Sequence, residues 1–150
     1  MSPATSDQAE PRSTEFASMT GQNVVAVRAR SGLGHGVALL LNTRGAKIAL
    51  FDRDGGSVVE TTQLTANPNS MFVPSVADVT DPASLAAAFA ATVKALGQVH
   101  AVINTAGIQV PLGRRAHEVE LAEFDATVAV NLRGALAVSQ MVLPHMLANG

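Results

Sequence analysis

The chain has 150 residues, 47% hydrophobic and 15% charged, enough apolar material for one globular domain with its own core. Its net charge of −2, its pI near 6.0 and its scattered basic residues argue against nucleic acid as a partner. It has no cysteine, which removes disulfides, thiolate metal sites and cysteine nucleophiles together and suits a reducing cytoplasm, so the expected location is cytoplasmic. His35, His100, His117 and His145 lie far apart in the chain, so no metal site is expected.

Residues 1–20 are rich in Ser, Thr, Pro and Ala, carry Asp7, Glu10 and Glu15, and contain no apolar segment of signal-peptide type. They read as a disordered tail ahead of a domain at 21–150. No segment reaches the length of a membrane span, so no membrane partner is expected.

An apolar, β-branched run from Asn23 to Arg28 predicts the first strand. It feeds a glycine-rich turn, Ser31-Gly32-Leu33-Gly34-His35-Gly36, after which Val37, Leu40 and Leu41 return at helical spacing. The reading is strand, tight turn and a helix over Leu33 to Thr43, with Gly45 as its C-terminal stop. Glycines at such a turn let the backbone approach a pyrophosphate, and the helix behind it offers unpaired N–H groups and the positive end of its dipole. Lys47 to Phe51 predicts the second strand. Asp52 ends it twenty residues beyond Gly32, the offset at which a carboxylate meets the adenosine ribose and repels a 2′-phosphate, which favours NAD over NADP. Arg53 pulls weakly the other way, and the alternative for Asp52 is a simple turn residue.

Gly55 to Leu64 is weakly helical and Thr65 to Ser70 a polar loop. Met71 to Val76 predicts the third strand, and Thr80 or Asp81 can cap a helix from Pro82 to Leu96. In that helix Leu85, Phe89, Val93 and Leu96 form a core stripe. Val99 to Asn104 predicts a fourth strand of the buried parallel type. Repeated βα units of this length predict an α/β fold with right-handed crossovers and a doubly wound parallel sheet. Near the end, Leu132, Leu136, Ser139, Val142, Leu143 and Met146 form an apolar stripe on a last helix.

Three stretches carry a family resemblance: Asp78-Val79, then Asn104-Thr105-Ala106-Gly107 directly after a strand, then Val130-Asn131-Leu132-Arg133-Gly134 in a helical segment. In order and spacing they resemble landmarks of the short-chain dehydrogenase/reductase family. Residues 72–80 and 97–107 are most similar to its branch containing type-2 3-hydroxyacyl-CoA dehydrogenase. The resemblance implies a Rossmann-like sheet of strand order 3-2-1-4, with an NAD cofactor held at Ser31, Gly32, Leu33 and Gly34. Asp78 would bond the adenine amino group and Val79 frame the ring, while Asn104, Ala106 and Gly107 would line the nicotinamide-side ribose. Asn131 would be the helix asparagine of the catalytic tetrad, the alternative being a helix-kink residue.

Two positions of the glycine turn depart from the family pattern, with Val27 and Arg28 where Thr and Gly belong. A non-glycine residue resists φ > 0, so Arg28 is expected to weaken cofactor binding. The family's Ser, Tyr and Lys would follow Gly150; the chain has no tyrosine, and its lysines are Lys47 and Lys94. The implied function is the N-terminal, NAD-binding part of an oxidoreductase acting on an alcohol, ketone or 3-hydroxyacyl substrate, inactive alone. The alternative is a non-catalytic binding module with a degraded cofactor site; a methyltransferase fits the later landmarks less well. A bare fourth strand and the last helix's stripe imply a homo-oligomer.

Overall fold

A computed structural model describes residues 17–64, 71–109 and 113–149. Residues 1–16 of the tail expected over 1–20, the polar loop at 65–70 and the final Gly150 lie outside the described residues. β1 (Asn23–Val27), β2 (Lys47–Asp52), β3 (Phe72–Val76) and β4 (Ala101–Asn104) form one parallel sheet in the order β3-β2-β1-β4. The helices α1 (Gly32–Thr43), α2 (Gly55–Gln63) and α3 (Pro82–Leu96) connect successive strands. After β4 come a 3₁₀ turn (Ala116–Glu118) and α4 (Leu121–Val128), which runs through a π-helical segment (Ala129–Gly134) into α5 (Ala135–Ala148).

The sheet separates two apolar layers, as the alternating faces of its central strands require. Val24, Ala26, Ile48 and Leu50 pack with Ala38 of α1 and Val58 of α2 on one face. Val25, Val27, Ala49 and Phe51 pack with Leu85 and Ala88 of α3 and Val138 and Val142 of α5 on the other. β1 is buried along its whole length. Met19, which composition assigned to the tail, packs against the first layer and donates its N–H to the Arg44 carbonyl at 2.9 Å.

Local signals explain the ends of the elements. Gly45 has φ +96, its N–H bonds the Asn42 carbonyl at 2.9 Å, and the Ala46 N–H reaches back to Leu41 at 3.1 Å, a Schellman stop that a left-handed glycine permits. Asp81, not Thr80, caps α3 by accepting the Ala83 N–H at 2.9 Å, with Pro82 in the first turn.

Four sequence expectations need correction. The ladder of β4 begins at Ala101 instead of Val99, because the Val99 N–H is directed to the His145 ring at 3.3 Å. β4 is only partly buried, since β1 covers one of its edges and no described strand covers the other. The last apolar stripe does not face one way: Val138 and Val142 are buried, whereas Leu132, Leu136 and Leu143 are 69%, 57% and 50% exposed. Within α5, Leu136 and Leu143 lie seven residues apart on one side of the helix, and Val138 and Val142 four apart on another, so the stripe divides between two faces. Finally, residues 121–148 form one 28-residue helix that is long and apolar enough, by length and composition, to cross a membrane. The expectation that no segment reaches the length of a membrane span fails here, because the π segment joins α4 to α5 without interruption.

Candidate functional site

β1, β2 and β3 follow one another toward one edge of the sheet, and the chain then crosses back to place β4 on the other side of β1. Such a reversal opens a crevice at the carboxyl ends of the strands, the usual ligand position in open α/β sheets. Here the crevice is a cleft of about 110 Å³. Residues at or beyond the carboxyl ends of all four strands reach it: Arg28, Asp52, Asp78 and Gly107.

The turn after β1 is tied down by its backbone. The Arg28 and Ala29 N–H groups both point at the Phe51 carbonyl, at 2.8 and 3.3 Å. Arg28 has φ +60, the sole positive φ outside glycine among the described residues, so its backbone takes the left-handed shape that glycine would adopt at little cost. Ser31 is the extended residue ahead of α1, without a side-chain cap, and Gly32 follows at φ +61. Gly34 is buried; a Cβ there would run into the Arg28 carbonyl and lie 2.5 Å from Thr105 Oγ1. That close approach is the physical content of the last glycine in the motif. Leu33 points outward, 79% exposed.

Asp52 ends β2 and is 5% exposed. Its carboxylate accepts the Arg30 N–H at 3.4 Å and the Asp54 N–H at 3.2 Å, while the Arg30 guanidinium pairs with Asp54 at 2.9 Å. Asp78 accepts both the Thr80 hydroxyl, at 2.6 Å, and the Thr80 N–H, at 2.8 Å. These bonds, first the hydroxyl and then the amide, hold its carboxyl below the ordinary value of 3.8, with Arg53 adding to the effect and partial burial opposing it. Val79 is buried against Gly134, where a Cβ would lie 2.8 Å from a Val79 methyl. The closing glycine of the Val130–Gly134 motif is therefore there to let Val79 in.

The wall beyond β4 is held by side chains. The Asn104 side chain accepts the Ala106 N–H at 3.0 Å and so shapes the loop instead of lining the cleft. Thr105 donates its hydroxyl to the Val27 carbonyl at 2.8 Å, joining this loop to the end of β1. Asn131 makes two bonds to one residue, accepting the Ile108 N–H and donating to the Ile108 carbonyl, both at 2.8 Å. It sits in the π segment, from which its side chain clamps the loop after β4.

Of the residues singled out in the sequence, Asp52, Asp78, Val79, Ala106 and Gly107 line the cleft together. Gly32 and Gly34 shape the turn behind it, and Asn104 and Asn131 act on the opposite loop. Sequence reasoning gave no site role to Arg30, Ala77, Ile108 and Val130, which with Arg28 and Arg53 complete the lining; Val130 lies inside a recognised motif and Ala77 and Ile108 adjoin one, and that was the available signal. Arg28 crosses the cleft, its Nη1 donating to the Gly107 carbonyl at 2.8 Å.

Residues 27–150 match the enoyl-(acyl carrier protein) reductase family. The chain is 30% identical over 132 residues to a probable short-chain type dehydrogenase/reductase of Bradyrhizobium diazoefficiens, covering 87% of this chain and 47% of that protein. The chain belongs to the short-chain dehydrogenase/reductase family. It is 34% identical over 124 residues to levodione reductase of Leifsonia aquatica, covering 80% of this chain and 45% of the relative. The crystal structure of 3-ketoacyl-(acyl-carrier-protein) reductase from Brucella melitensis complexed with NADH superposes with a TM-score of 0.80 at 31% identity, covering 88% of this chain and 52% of that one. The chain spans about half the length of the curated relatives it matches.

Proposed function

We propose that this short-chain dehydrogenase/reductase chain is the NAD(H)-binding part of an oxidoreductase acting on an alcohol, ketone or 3-hydroxyacyl substrate. The observation that carries the reading is the convergence of Asp52, Asp78, Val79, Ala106 and Gly107 on one cleft at the switch point of the sheet. The donor set fits the cofactor. Each Asp52 oxygen accepts one amide and keeps a further lone pair for a ribose hydroxyl. Asp78, held ionised by Thr80, offers an acceptor for an adenine amino group. The Ala106-Gly107 backbone gives the nicotinamide-side ribose a wall without bulk. When bound, the nicotinamide would supply a hydride acceptor or donor; the residues of this chain would bind and orient it, and Asn131 fixes the loop after β4 that forms this side of the cleft. A proton for the substrate oxygen needs an acid/base of the tyrosine type. The chain has no tyrosine, so turnover by this chain alone is not expected.

The expected outcome is NADH binding about tenfold or more tighter than NADPH, read by cofactor fluorescence, because a carboxylate beside a 2′-phosphate costs at least about 1.4 kcal/mol. Asp52→Ala should erase the difference. Equal affinities in the parent chain overturn the cofactor choice. Absence of binding favours a second reading, a non-catalytic module, which the Arg28 side chain across the cleft independently supports.

The same reading places the chain in the cytoplasm and in a homo-oligomer. Leu132, Leu136 and Leu147 stand 57% to 82% exposed on the long helix, beside a groove between β4 and α5 lined by Val102, Val142 and Met146. An apolar surface of that extent calls for a partner. Sedimentation velocity at micromolar concentration should show self-association; a monomer that melts cooperatively would refute it.

A further inference from the structure

The Arg28 side chain spans the cleft at one defined place. In the order β3-β2-β1-β4, Arg28 follows β1 and Gly107 follows β4, so their 2.8 Å bond crosses the β1–β4 half of the crevice. Asp52 ends β2 and Asp78 follows β3, on the other side of that crossing. Both ends of the crossing are anchored. The Arg28 backbone is fixed to Phe51 in a left-handed conformation, and the residue after Gly107 is clamped from both sides by Asn131. The cleft's 110 Å³ falls below the roughly 300–1,000 Å³ of pockets that enclose a whole ligand.

We propose that Arg28 is a specificity-determining strap: it leaves the adenosine half of the site accessible in the free protein and bars the other half until its bond to the Gly107 carbonyl is broken. This rests on the NAD(H) reading above. The consequence is selectivity by ligand length. An adenosine monophosphate held by Asp52, Asp78 and Val79 does not meet the strap, whereas a dinucleotide must displace a charge-assisted hydrogen bond and a side chain lying along its path. The opposing possibility is a guanidinium that turns onto the diphosphate and adds affinity. The two differ in sign.

The test is titration of AMP and of NADH into the parent chain, Arg28→Gly and Arg28→Met, with amide hydrogen exchange at Ile108 in the free proteins. Arg28→Gly removes strap and backbone strain together; Arg28→Met keeps the bulk and the backbone constraint but cannot donate. The expected result is AMP affinity unchanged within about twofold, NADH affinity raised about tenfold in Arg28→Gly and less in Arg28→Met, and faster exchange at the Ile108 amide, which Asn131 protects, in both variants. NADH affinity unchanged or lowered in both variants, with AMP still bound, overturns the strap alone. AMP and NADH binding to none of the three proteins overturns the cofactor reading and the strap with it.

Discussion

On one side of the cleft, the turn after β1 is fixed by backbone: two N–H groups share the Phe51 carbonyl, and Gly34 lies against the Arg28 carbonyl with no room for a Cβ. On the other side, the loop after β4 is fixed by side chains, the Asn104, Thr105 and Asn131 bonds to Ala106, Val27 and Ile108. A backbone wall tolerates changes of side chain as long as its close approaches stay clear, and this explains how Val27 and Arg28 occupy positions where the family has Thr and Gly without loss of the turn. A side-chain wall depends on residue identity. Thr105 illustrates it, because a hydroxyl on this loop now bonds the β1 carbonyl of a strand that ends in Val27.

Bulk placed in the backbone wall has the largest expected effect. Gly34→Ala should destabilise the fold by about 3 kcal/mol, since the clash is with main chain and cannot be relieved by a rotamer change. Urea denaturation reads it, and a loss below about 0.5 kcal/mol would mean that this wall yields like the other. Next in size, Asn131→Ala should cost about 1–2 kcal/mol and speed exchange at the Ile108 amide, because one side chain satisfies two backbone groups there. Protection at Ile108 unchanged from the parent chain would show that Asn131 does not hold this loop.

The smallest effect lies between the walls. Asp78 has its carboxyl lowered chiefly by the Thr80 hydroxyl, so its stabilisation is complete above the ordinary value of 3.8 and is lost as pH falls through the lower folded value. Thr80→Val should weaken that term by under about 1 kcal/mol and make thermal stability less steep between pH 4 and pH 2. Identical acid limbs for the two proteins would show that Thr80 does not set the state of Asp78.

Strand and helix order, the doubly wound class, Gly45 as a helix stop and the convergence on Asp52 and Asp78 were legible in the sequence, because each rests on local chemistry: apolar period, left-handed glycine, a carboxylate at a strand end. Strand order 3-2-1-4 was legible through the Asp78-Val79 and Asn104–Gly107 landmarks, which carry the family's topology with them. What could not be read locally was every contact made across the sheet. The Asn131 clamp, the Thr105 tether and the reach of Arg28 to Gly107 join residues 23, 78 and 79 positions apart, and nothing in either partner's neighbourhood marks the other. The π segment belongs with them. Within it Gly134 packs on Val79 and Asn131 bonds Ile108, contacts that helical periodicity does not mark. Local sequence decides which groups a segment offers; only tertiary packing decides which of them meet, because the free energy of meeting depends on both partners being held.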